Sequence, residues 1–93
     1  MARKLTLKRP RILTGFMLLF EATVGDVSQV LSNGAVLEFS ISQAEQTLTL
    51  TPMNNPNVKA PAPLTIPAGE NDYTVCLTFK SIDGRAQWFL ELE

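Results

Sequence analysis

The chain has 93 residues, 45% of them apolar and 18% charged, with a formal net charge of −1. That length holds one domain with a single core and no separate catalytic lobe, and that composition argues against a disordered tail. One cysteine, Cys76, excludes an internal disulfide, and the lack of histidine excludes Ser-His and Cys-His pairs and a conventional zinc site, so neither a cofactor nor a metal is implied.

At the N-terminus Leu5 and Leu7 alternate with Lys4, Thr6 and Lys8 until Pro10, which reads as a short edge strand or a strand with a break. The next candidate is the longest, Ile12 to Val24, with Gly15 as a bulge, Phe16, Leu18, Phe20, Ala22 and Val24 on one face, and Met17, Leu19, Glu21 and Thr23 on the other. Its apolar run Phe16–Phe20 ends at Glu21 after five residues. A secretory core needs about 7–15 residues and a membrane span about 20, so the sequence predicts neither. The expected compartment is cytoplasmic, where an unpaired cysteine stays reduced.

Gly25-Asp26 opens what reads as a connection containing Val27, Val30 and Leu31, and Asn33-Gly34 signals a tight turn before a strand over Val36–Ser42. Leu37, Phe39 and Ile41 are expected inside that strand, as are Leu48 and Leu50 in the next, Thr47–Thr51. Five of the six prolines then fall between Pro52 and Pro67. This stretch is a stiff crossing loop, read either as a variable binding loop or as a link carrying the chain from one sheet to the other. At the C-terminal end Tyr73, Val75, Leu77 and Phe79 alternate with polar residues, Asp83-Gly84 makes a turn, and Ala86, Trp88, Leu90 and Leu92 return.

One pattern occurs twice, 25 positions apart: Phe39-Ser-Ile41 to Leu48-Thr-Leu50, and Leu64-Thr-Ile66 to Tyr73-Thr-Val75, each with a turn carrying Glu45 or Glu70. Both read as β-hairpins. The fold class expected from these elements is all-β, a small antiparallel β-sandwich of about six to seven strands over residues 1–93.

Two surfaces carry functional expectations. Met17, Leu19, Cys76 and Phe89 lie opposite the predicted core, and on one sheet they would form an apolar patch for a second copy of the chain or another protein. The other is the basic start of the chain. Five of eight basic residues, Arg3, Lys4, Lys8, Arg9 and Arg11, fall in the first eleven positions, which leaves three basic against nine acidic residues in the other 82. Lys8, Arg9 and Arg11 could hold a phosphate-bearing or other anionic ligand, nucleic acid being the weaker case because interleaved aromatics are missing; the plainer reading is edge-strand charge that blocks aggregation. Glu45 and Glu70 read as turn acceptors rather than a catalytic pair, so the chain is expected to be non-enzymatic.

The segments Leu5-Thr-Leu-Lys-Arg-Pro-Arg11, Gly25-Asp26 and Leu31-Ser-Asn-Gly34, together with Leu64-Thr-Ile-Pro-Ala-Gly-Glu70, resemble small stand-alone β-sandwich domains of Gram-positive bacteria, PEGA-like or immunoglobulin-like in type. Asn71-Asp72 departs from that pattern, as does Ser42-Gln-Ala-Glu45 in place of Pro-x-Gly-Glu. The resemblance implies a non-enzymatic module, and the leading expectation is a self-associating interaction or assembly domain.

Overall fold

Two four-stranded sheets share one core in the computed structural model, which describes residues 2–11, 18–54 and 58–93. The strands are β1 (Arg3–Lys8), β2 (Phe20–Val24), β3 (Val27–Leu31), β4 (Val36–Ile41), β5 (Gln46–Pro52), β6 (Leu64–Ile66), β7 (Tyr73–Ile82) and β8 (Arg85–Leu92). The first sheet runs β4-β1-β7-β8 and the second β3-β2-β5-β6. Neighbours are antiparallel except β1 and β7, which run parallel. The expected all-β sandwich is the fold, with eight strands among the described residues where about six to seven were expected.

Period-two alternation builds the core, because successive side chains of a strand point to opposite faces. From the first sheet Leu5, Leu7, Phe39, Ile41, Val75, Leu77 and Trp88 are buried; Phe20, Ala22, Val24, Leu31, Leu48, Leu50 and Ile66 meet them from the second. Leu37, Tyr73, Phe79 and Leu90 pack around this cluster. The inward sets expected for Val36–Ser42 and Thr47–Thr51 hold, and Leu18, Phe20, Ala22 and Val24 are buried as expected. Of the strand expected over Ile12–Val24, β2 forms only Phe20–Val24, Leu18 and Leu19 precede it, and residues 12–17, with Gly15, Phe16 and Met17, lie outside the described residues.

Four expectations need correction. The two repeated units are not hairpins: β4 pairs with β1 while β5 pairs with β2, and β6 pairs with β5 while β7 pairs with β1. Each unit therefore crosses between sheets. A crossing and a hairpin both need two one-sided strands and a turn, so the local pattern is identical. The turns of the two crossings meet, the Gly69 N–H donating to the Gln43 carbonyl at 2.8 Å. The second correction concerns β1, which is interior, flanked by β4 and β7. Pro10 lies beyond the ladder and so leaves its hydrogen bonds intact.

Third, Val27–Leu31 is a strand, paired with β2 through the turn Gly25-Asp26, where Gly25 takes a φ of 59°. Its burial does not alternate cleanly, since Val27 and Val30 are exposed at the rim, and this hid it. Fourth, the proline-rich stretch joins β5 to β6 within one sheet. The C-terminal hairpin forms as expected: Asp83 and Gly84 have φ of 51° and 76°, both positive, as the two-residue turn that matches strand twist requires.

Candidate functional site

The inward face of β1 reads Arg3, Leu5, Leu7 and, one step past the strand, Arg9, all buried. An arginine at each end of a buried leucine pair must bring its own partners, because a desolvated guanidinium with unmet donors is costly. Arg9 Nη1 donates to the Leu18 carbonyl at 2.6 Å and the Leu31 carbonyl at 3.0 Å, both on chain belonging to the second sheet. Its guanidinium carbon lies 5.4 Å from the ring centres of Phe20 and Trp88, within cation–π range. Trp88 in turn meets Phe20 edge-on and stacks on Phe79. Burial lowers the Arg9 pKa from its ordinary value.

Arg3 does the corresponding work at the other end. Its Nε donates to the Ser42 carbonyl and its Nη2 to the Ala44 carbonyl, at 2.9 and 3.0 Å, while Tyr73 lies 5.8 Å from the guanidinium. Sequence reasoning counted both arginines as surface charge. The signal that could have placed them is parity: positions 3 and 9 share the odd numbering of Leu5 and Leu7.

Of the expected anion ligands, Arg9 is thus engaged with interior carbonyls, whereas Lys8 and Arg11 are exposed. They flank an open groove of about 730 Å³, with Asn33, Val36, Cys76 and Glu93 among its walls. Lys8 Nζ is 3.4 Å from a Glu93 carboxylate oxygen, which offsets part of the positive potential there. Backbone conformation shapes one wall: Gly34 takes a φ of 76°, which disfavours any side chain there.

The expected apolar patch is divided. Cys76 and Phe89 share the outer face of the first sheet, on β7 and β8, where Thr78 pairs with Phe89 and Cys76 with Glu91. Both are partly buried. Leu19 is on the other sheet, next to β2, its carbonyl accepting from the Met53 N–H and its N–H donating to Asn54 Oδ1. Met17 lies outside the described residues. Around Phe89 the face is charged: Lys80 Nζ is 2.6 Å from Glu91 and 5.8 Å from the Phe89 ring centre. Val36, on β4 and 60% exposed, adds an apolar residue beside the groove.

The turn carboxylates line neither of the grooves at Lys8 and Ser42. Glu45 and Glu70 are both exposed, one in each of the two crossing turns that the Gly69–Gln43 bond joins. The side-chain acceptors there are Ser42 Oγ, which takes bonds from the Ala44 N–H and Gln46 Nε2, and Asp72 Oδ1, which accepts the Lys4 N–H at 2.7 Å.

The four sheet edges differ. β6 has three residues. At the β3 and β4 edges Gln29 Nε2 donates to the Glu38 carbonyl at 2.9 Å, tying one sheet to the other. β8 has eight residues, and among the described residues β7 is its one strand neighbour. No family model matches this chain, and no curated protein matches its sequence.

Proposed function

We propose that the chain is a non-enzymatic protein-interaction or assembly module that associates with itself through its first sheet. The observation that carries this reading is Phe89, an aromatic residue on the outer face of a long edge strand, next to Cys76 and ringed by the Lys80–Glu91 pair. A central aromatic with a charged rim is the usual composition of an interface core. The turn and strand signals that resemble PEGA-like sandwich modules agree with a binding role.

Sedimentation velocity over a concentration series tests it. A dimer or larger closed assembly is expected for the unaltered chain, and a folded monomer for Phe89→Asp. An oligomer unchanged by Phe89→Asp would discard this surface.

A second reading is supported by the groove between Lys8 and Arg11: a site for a phosphate-bearing or other anionic ligand. Pyrophosphate binding measured by calorimetry should then weaken steeply with added salt and vanish in the Lys8→Glu, Arg11→Glu double variant. Binding that survives both would end it.

A further inference from the structure

The edge of β8 away from β7, which no strand among the described residues covers, has a register written into it. Its ladder with β7 runs unbroken from Ile82↔Arg85 to Val75↔Leu92. In a two-residue hairpin the pair that closes the turn exchanges both backbone bonds, so the odd-numbered residues of β8 bond to β7; the Glu93 N–H donating to the Thr74 carbonyl fits that phase. The N–H and C=O groups of Ala86, Trp88, Leu90 and Leu92 therefore point away from β7, toward the side that no described strand occupies. No proline or bulge interrupts the strand.

We propose that a second copy of this chain pairs with β8 antiparallel, about a twofold axis at Phe89, so that two first sheets join into one eight-stranded sheet. This rests on the self-association reading above and specifies its geometry. Outer-face residues must oppose outer-face residues, which permits registers centred on Trp88, Phe89 or Leu90. Charge separates them. Centring on Phe89 sets Arg85 opposite Glu93 and Gln87 opposite Glu91, and brings the two Phe89 rings together. Centring on Trp88 also sets an Arg85 opposite a glutamate, Glu91, but brings Glu93 opposite Asp83 of the turn, a like-charge pair. Centring on Leu90 sets Phe89 opposite Glu91 and Gln87 opposite Glu93 and pairs no opposite charges among residues 87–93. Opposite charges facing across a sheet stabilise it and like charges oppose it. In the Phe89 register Ala86 bonds Leu92 and Trp88 bonds Leu90, about eight main-chain bonds in all at two per pair. Leu92, 44% exposed in the single chain, is then covered at the junction.

The other edges suit this less. β6 is too short, and the Gln29 bond engages β3 and β4.

Cysteine cross-linking reads the register directly. In a Cys76→Ser background, Phe89→Cys places two thiols in a directly opposed, non-hydrogen-bonded pair with Cα atoms about 4.5 Å apart, within disulfide reach. Gln87→Cys places them roughly 14 Å apart along the strand, out of reach. Mild oxidation of the chain should give a covalent dimer with the first variant and not the second. A second test leaves Phe89 in place: Arg85→Glu should raise the dimer dissociation constant roughly tenfold, and adding Glu93→Arg should restore it to within about threefold. A dimer by sedimentation that cross-links through Gln87→Cys, or that ignores the charge reversal, overturns the β8 register while leaving self-association standing. A chain that stays monomeric at millimolar concentration overturns both.

Discussion

The two ends of β1 carry the same residue type in the same orientation, yet they are built differently. At the Arg9 end the guanidinium lies against two aromatic rings and bonds carbonyls at the entry to β2 and the end of β3, so one side chain on the first sheet holds two strands of the second. At the Arg3 end the guanidinium bonds two carbonyls of one crossing turn, with a single ring at longer range. Arg9 is a sheet-to-sheet tie inside the core, and Arg3 is a clamp on a loop. The role of an inward arginine is thus set by which carbonyls its end of the sandwich brings within reach.

Substitutions can break this comparison in a graded way. Arg9→Ala leaves two interior carbonyls without this donor and removes packing from Phe20 and Trp88; a loss of about 3–5 kcal/mol is expected in urea denaturation, a large part of the stability of a domain this size. Arg9→Met keeps most of the volume and should lose less, about 2–3 kcal/mol, which separates the packing contribution from the hydrogen bonds. Arg3→Ala should cost about 1–2 kcal/mol, since water can reach the vacated turn, and faster amide exchange should be confined to residues near Ser42 and Ala44. Equal losses at Arg3 and Arg9 would erase the distinction between tie and clamp. Gln29→Ala, which removes the bond to the Glu38 carbonyl at the far edge, should cost about 0.5–1 kcal/mol by the same denaturation series.

Much of the fold was legible in the residues. Leu37, Phe39 and Ile41, then Leu48 and Leu50, announce one-sided strands, and Asp83-Gly84 announces its hairpin because few other pairs tolerate two positive φ values. Less of the candidate site could be read. Cys76 and Phe89 fall on one face because they lie on paired strands, and Leu19 does not because β2 belongs to the other sheet. Arg9 reads as surface charge in the sequence, since an arginine between Lys8 and Pro10 looks solvated until the carbonyls of Leu18 and Leu31 are brought to it.

By itself the sequence determined that this chain makes strands, where most of them turn and which side chains of each strand face inward, because those properties depend on period-two alternation and on local backbone preference. Only the tertiary structure decided which sheet each strand joins. That choice made crossings of two apparent hairpins, an interior strand of an apparent edge, a tie and a clamp of two arginines, and an edge of β8 that no described strand covers. Its physical reason is that pairing partners are selected by long-range complementarity of the two inner faces, whereas the alternation that marks a strand is the same for either sheet.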